Sequence, residues 1–467
     1  MSNKYANFAL PHLVAFIVMM LFAFVFFSPA LTGQVLSQGD NMQAYGMQHE
    51  IREYMDKGDE APLWTNSAFG GMPSYQIMMR NSGNLVRYFY TAFLLGNDIT
   101  KPHTAILLCM LGLYLLLIVL KIDWRIALIG AIAYGIGTNF VILTEAGHST
   151  KIITIAYVAP TLAGMLLAWR GKYWLGGGIT ALFFALQLMA NHIQITYYFA
   201  IILVFIAIAV FVEAVQQKMI DEFAKGSAVI ALASLLAIGT VVPRLWTTYE
   251  YTQETTRGVS DLKSKGGKSG LDKDYAFGWS YGIGETMTLL IPNYKGGGAS
   301  SNYDFGDMKS YQMLSQQMQP EQLQQQLGGL MYFGDQPFTS GPVYLGAIIC
   351  FLFFLGMALS DSTLKWGLLA ATIVAMMLAW GKNFETLNYF LFDHFPMFNK
   401  FRSVSMALSL AAMTISATSM LGLQAVFSDK IDSKQKTIGI YIAGGIVAAL
   451  CLLGFGMNGD YHAHLAD

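Results

Sequence analysis

The sequence predicts an all-α polytopic membrane protein with about eleven transmembrane helices. Three observations predict it. Only 12% of the 467 residues are charged and 54% are hydrophobic, whereas a soluble domain carries about 25% charged residues. Apolar runs of about 18 or more residues, long enough to cross a hydrocarbon core, recur along most of the chain. Short connections rich in Lys and Arg alternate with connections poor in them, which is the charge bias of membrane topology. The net charge of −1 and the lack of a basic stripe leave no expectation of a nucleic-acid partner.

The first apolar run, Phe8 to Phe27, follows Lys4 and has 20 residues. A secretory signal core has only about 7–15 residues, and Pro29-Ala30-Leu31 is a poor cleavage site. The run is therefore expected to stay as the first span. Further spans are expected at 104–120, 126–143, 152–169, 175–191, 196–215, 227–243, 341–359, 366–381, 403–425 and 437–456. One set of connections is basic: Lys121 and Arg125; Arg170 and Lys172; Lys218 and Lys225; Lys365; Lys430, Lys434 and Lys436. The positive-inside bias puts this set in the cytoplasm, with the N-terminus inside and the C-terminus outside. The 382–402 connection dissents, holding Lys382, Lys400 and Arg402. Positive charge on the less basic side is a pointer to function.

Two long connections, 28–103 and 244–340, fall on the extracytoplasmic side in this topology. The first carries Trp64, Phe69, Tyr75, Tyr88 and Phe89 among turn residues such as Gly70-Gly71-Met72-Pro73. A connection of that length is expected to pack rather than dangle. Residues 41–56 read as a helix, and 84–95 as an interfacial helix. The second connection is richer in Gly, Ser and Gln, with a polar, helix-permissive segment from Gln312 to Gln326. Lys263 to Gly270 resembles a phosphate loop only superficially, since a true one follows a buried strand and opens a helix. The three cysteines, Cys109, Cys350 and Cys451, lie in apolar runs. They are expected to be buried, inert thiols, with no zinc motif.

A few polar residues need a reason to be where they are. Asp40 comes thirteen residues after the first span. It suits a helix N-cap; it also suits a carboxylate at the membrane surface that acts as a base on a lipid-linked substrate. Glu145, His148 and Lys151 form the tightest ionisable group, within seven residues. If the helix continues through them, they share a face. The bland reading is a turn where Lys151 snorkels to water, and the sharper one is a wall that binds an anionic headgroup. His192, in a connection with almost no loop, is either structural or part of the same wall. Glu145, His148, His192 and a carboxylate would also make a conceivable divalent-metal site, though their spacing is not diagnostic; no other cofactor is expected. Lys400 and Arg402 precede a span, where an arginine fork suits phosphate and a headgroup anchor is the plain alternative. Arg244, Glu250, Arg257, Asp272, Lys273, Asp274 and Glu285 crowd the start of the second long connection.

Several stretches together resemble the YfhO family of bacterial membrane proteins, in the form found in Bacteroidota. They are Trp64-Thr-Asn-Ser-Ala-Phe-Gly-Gly-Met-Pro73, Gly147-His148 with Lys151, Asn191-His192, Thr256-Arg257-Gly258, Gly270-Leu-Asp-Lys-Asp-Tyr-Ala-Phe-Gly-Trp-Ser-Tyr281 and Phe398-Asn-Lys-Phe-Arg402-Ser403. The resemblance runs over nearly the whole chain and rests on order and spacing. That family is similar to the GT-C superfamily of glycosyltransferases, which take sugar from a polyprenyl-phosphate donor. The resemblance implies a multi-pass protein of the bacterial inner membrane. It implies an acidic catalytic residue, acting as a base, early in the first extracytoplasmic loop, the place of Asp40. It further implies that Arg402 or Lys400 holds the donor phosphate, with His148, Lys151 and His192 nearby. Relatives of this kind usually continue further, so this chain, ending at Asp467, is expected to be a short or truncated member.

The resulting expectation is an inverting transferase that moves a sugar from a polyprenyl-phosphate donor to an envelope glycan, lipid or protein. Glu145, His148, Lys151, His192, Arg257, Lys400 and Arg402 would bind substrate, and membrane lipids would surround the chain. Two alternatives stand beside it: a transporter or lipid flippase, and a non-enzymatic envelope assembly protein. Against transport, the sequence shows no internal repeat and no interrupted helices in matching positions.

Overall fold

The computed structural model describes residues 2–456 except 59, 79–82, 97, 260–268, 299–308, 318, 320–321 and 324–330. Residues 263–268 of the glycine- and lysine-rich stretch, and part of the Gln312–Gln326 segment, lie outside the described residues. The chain is an all-α, multi-pass membrane protein. A small sheet pairs β1 (Trp64–Thr65) with β2 (Met72–Pro73) in antiparallel register. Among the described residues, seven helices are long and apolar enough to cross a membrane, or up to nine if each of two bent pairs is one span. Two further apolar helices, at Tyr173–Met189 and Ala347–Leu359, are shorter.

The helices fall into two compact units. The first holds α1 (Ser2–Phe26), α2 (Gly39–Asp56), α3 (Val86–Phe93), α4 (Pro102–Val119), α5 (Trp124–Gly135), the end of α6 (Thr138–Ala146), α7 (Ser149–Trp169), α8 (Tyr173–Met189), both ends of α9 (Ile193–Gln216), α10 (Ile220–Gly239) and α11 (Val242–Thr252). Its centre is α7, which packs against α4, α8 and α10 and buries nearly every side chain. In lipid there is little hydrophobic gain from pairing helices, so close backbone approach at small residues does that work. A Cβ on Gly176 or Gly226 would collide with the Ala168 backbone, and one on Gly164 with Thr180. Polar side chains inside the unit find one another: Gln187 donates to Thr196 Oγ1 at 3.0 Å, and Thr161 donates to the Tyr157 carbonyl at 2.7 Å.

The long connection after α1 is ordered by side chains, not by apolar burial alone. Residues 41–56, expected to be helical, lie in α2. Its Glu50 carboxylate accepts hydrogen bonds from the Thr65 hydroxyl and from the Asn66 and Ser67 backbone N–H groups. Those bonds hold the carboxyl below its ordinary range and clamp the small sheet onto α2. Helix α3 packs through Phe93 against Tyr157 and Phe183, while Tyr88 and Phe89 stay exposed.

The second unit holds residues 136–142 and 202–209, with α12 (Ala347–Leu359), α13 (Leu364–Ala379), α14 (Glu385–His394), α15 (Leu408–Val426) and α16 (Ser433–Gly456). Here α15 is the buried centre, packed on α12 and α13. Gly356 and Gly422 face each other across α12 and α15 with no room for a Cβ on either. Thr372 and Thr414 share a buried hydrogen bond of 2.7 Å.

Two helix pairs are bent: α5 and α6 by 42°, and α13 and the Gly381–His394 segment by 117°. The second break occurs at Gly381, whose φ of +50° is left-handed and where a Cβ would collide with Ser280. Cys109 and Cys350 are buried as expected, but Cys451 is exposed. It lies on α16, a helix with few buried residues, so an apolar run need not be an interior one.

Candidate functional site

The first unit builds a polar cluster where three turns meet. Helix α6 stops at Gly147 because the chain there is left-handed, with φ of +83°, a conformation glycine adopts without a Cβ penalty. The stop is a Schellman closure: His148 N–H donates to the Leu143 carbonyl at 2.9 Å, and Gly147 N–H to Thr144 at 3.2 Å. His148 then becomes the residue that opens α7. The break answers the question left by spacing alone. Glu145 and His148 do not share a continuous helical face; Glu145 is exposed, and no described residue ion-pairs with it.

The N-terminus of α2 docks onto this turn. Gln38, buried, donates to the Thr144 carbonyl at 2.6 Å and accepts from Asn41 at 2.7 Å. Asn41 also donates to Ser149 Oγ at 2.9 Å. A Cβ on Gly147 would stand 3.0 Å from Gln38 Cβ and 3.1 Å from the Asn41 backbone nitrogen. The turn's glycine therefore serves both a left-handed φ and a close approach. Sequence reading passed over Gln38, Asn41 and Ser149; the only signal was the polar run around Asp40 facing a glycine-histidine turn elsewhere in the chain.

This docking sets Asp40 beside His148. Asp40 is in the first turn of α2 and does not act as its N-cap, the position Gln38 occupies. Its Oδ2 lies 3.0 Å from His148 Nε2. On the other side of the ring, Lys151 Nζ lies 3.3 Å from His148 Nδ1. An ammonium has only protons to give, so Nδ1 accepts and Nε2 carries the hydrogen donated to Asp40. Burial, reinforced by the Lys151 charge, pushes the His148 pKa down to about 4 even though Asp40 opposes the shift. At neutral pH the ring is thus uncharged, and its contact with Asp40 is a hydrogen bond from a neutral donor. Lys151 stands in the first turn of α7, where the helix dipole disfavours a cation; its contact with His148 works against that cost.

His192 opens α9 after Asn191, whose φ of +64° makes the tight connection possible. Burial, and then the Lys151 charge, push its pKa down to about 3. Its Nδ1 is buried without a hydrogen-bond partner among the described residues. Nearby in the chain's fold, Arg244 donates to the Met189 carbonyl at 3.2 Å. Arg257 is half-buried in the turn after α11, its N–H on Thr255 Oγ1 at 3.2 Å.

Lys400 and Arg402 belong to the second unit. Met397 and Ser403 are both left-handed, and the segment between them lies along residues 275–279, with Ser403 N–H on the Ala276 carbonyl and Ser405 N–H on that of Trp279. Arg402 donates to the Tyr275 hydroxyl, and its guanidinium carbon is 5.3 Å from the Tyr275 ring centre and 5.9 Å from that of Trp279. This geometry suits cation–π attraction. Lys400 is half-buried, and burial lowers its pKa. Glu285 sits in a second polar nest: its carboxylate accepts from Tyr332 at 2.8 Å and from Gly282 N–H at 3.1 Å, and burial raises its pKa.

Of the expected site residues, Asp40, His148 and Lys151 are joined directly and His192 adjoins them electrostatically. Glu145 is exposed and stands outside that cluster, and Arg257 lies in the turn after α11. Among the described residues, no group of three or more His, Cys, Asp or Glu side chains is placed to share a metal ion, so Glu145, His148 and His192 do not form the conceived metal set. No family model, no curated protein and no solved structure matches the chain. The chemistry of the cluster is therefore the ground for any functional reading.

Proposed function

We propose that this protein is a membrane glycosyltransferase, similar to the YfhO family and the GT-C superfamily, that inverts the anomeric centre of a polyprenyl-phosphate-linked sugar. The observation that carries the reading is the bonded series Asp40–His148–Lys151. An exposed carboxylate with one oxygen held by a neutral imidazole is oriented without being neutralised. In the reaction, the acceptor oxygen bonds to the anomeric carbon as the bond from that carbon to the phosphate oxygen breaks. Asp40 takes the acceptor's proton, and polyprenyl phosphate leaves with the bonding pair. His148 fixes the Asp40 carboxylate. Lys151 offsets the charge that grows on the leaving phosphate, an electrostatic contribution of the kind that dominates such steps; the family resemblance separately gives Arg402 or Lys400 a donor-phosphate role.

The same reading places eleven spans in a bacterial inner membrane, with the N-terminus in the cytoplasm and the 28–103 and 244–340 connections outside. The acceptor is an envelope glycan, lipid or protein. A second reading draws on the two bent helix pairs, since broken helices accompany substrate sites in transporters and flippases. One experiment separates the readings. Purified protein in liposomes is given a polyprenyl-phosphate sugar and an envelope acceptor. Sugar on the acceptor supports the transferase. Movement of the lipid without sugar transfer supports the flippase, and neither outcome leaves an assembly role.

A further inference from the structure

The end of α1 lies beside the start of α4. His12 Nδ1 is 2.7 Å from the Tyr114 hydroxyl, and the Phe24 and His103 rings are 4.5 Å apart, so the two helices run antiparallel in register. Along α1 an apolar groove of about 390 Å³ is lined by Val18, Leu21, Phe22, Val25 and Phe26. A second cavity of about 380 Å³, also lined by Phe26, reaches from Phe27 and Pro29 to Asp98, Lys101 and His103. Volumes of this size accept small ligands or parts of larger ones. The order is apolar first, then mixed, then charged, and the change falls where the apolar spans of both helices end.

The charged end is only partly satisfied by the protein. Asp98 Oδ1 accepts from Thr100 N–H at 2.9 Å and from its hydroxyl at 2.6 Å. That holds the carboxylate in place and leaves its charge unpaired by any described cation. The Lys101 ammonium has no hydrogen bond or ion pair to a described residue. His103 Nδ1 is buried with no partner among the described residues. One fixed anion and one cation line the same space.

We propose that this cleft holds one zwitterionic phospholipid, its acyl chain in the α1 groove, its phosphate at Lys101 and its ammonium toward Asp98. An acyl chain matches the purely apolar groove, and a head with both charges matches the Asp98 and Lys101 pair better than a simple anion would. The site is separate from Asp40, although Gln38, which lines the cavity, also bonds the Thr144 carbonyl.

Native mass spectrometry of full-length protein released from nanodiscs of phosphatidylethanolamine tests this. Wild type is expected to carry one phospholipid per chain, and Lys101→Glu to lose at least tenfold in occupancy. Lys101→Met, which keeps the apolar stem, shows the same direction of loss if charge reversal prevents folding. Millimolar inorganic phosphate is expected to leave the adduct intact. Equal retention in the Lys101 variants, release by inorganic phosphate alone, or replacement by polyprenyl phosphate at equal concentration would each overturn the proposal.

Discussion

The Asp40 carboxylate stands 3.0 Å from His148 Nε2, across a sequence separation of more than a hundred residues. Lys151 on the far side of the ring fixes which nitrogen carries the proton. The pair therefore has a defined polarity: the ring donates and the carboxylate accepts.

If His148 positions Asp40, removing the ring should cost rate more than substrate affinity. His148→Ala is expected to lower kcat about 100-fold, the lower range for a positioned acid–base group, with KM for the donor nearly unchanged. His148→Gln keeps an amide donor and should recover part of the loss. Steady-state kinetics on both variants check this, and an equal loss in both would assign His148 a different role.

His148 and His192 give the cluster a pH dependence with a definite sign. Both folded-state pKa values, about 4 and about 3, lie below the ordinary value near 6.5. The unfolded chain therefore binds more protons as pH falls below that value. Stability from keeping these rings neutral is present in full above about pH 6.5 and is lost progressively toward pH 4. Thermal melts in detergent should show Tm falling from pH 7 to pH 5. The fall should be smaller in His192→Asn, and an identical fall would exclude His192 as a source.

Gly147 serves a left-handed turn and a close approach at once. Gly147→Ala is expected to destabilise the protein by about 1–2 kcal/mol from the backbone alone, and by more if α2 is pushed off the turn. Tm measured beside transfer activity should fall together with it. A variant with wild-type Tm would show that α2 does not depend on this contact.

Arg402 tests the part of the account that lies in the second unit. Lysine keeps the charge but loses the planar fork and its stacking. Arg402→Lys is expected to raise KM for the polyprenyl-phosphate donor about tenfold, the scale of one lost charge-assisted hydrogen bond. A changed kcat at constant KM would point to a role other than donor binding.

Much of the helical architecture was legible because span length and apolar content are imposed by the bilayer itself. The breaks were not. Gly147 and Gly381 end or bend helices through left-handed backbone and close contacts with residues far away in sequence, which no local pattern reveals. For the same reason the ionisable trio was read one residue too simply. Spacing grouped Glu145 with His148 and Lys151, whereas the Schellman turn separates Glu145 and brings in Gln38 and Asn41 from a different connection. Asp40 was visible as a lone carboxylate near a span, but its partner was not, because that pairing is made by tertiary docking. Arg402 was flagged by topology; its aromatic neighbours Tyr275 and Trp279 come from a segment over a hundred residues earlier.

The central claim is that Asp40 is the base of a sugar transfer. The most direct measurement is sugar transfer from a polyprenyl-phosphate donor by purified wild type and by Asp40→Asn, with matched Tm showing that both are folded. The account predicts transfer by wild type and a loss of at least about 1,000-fold in Asp40→Asn, within the range for a general base. Wild-type rates in Asp40→Asn, or no transfer by the folded wild type, would contradict it.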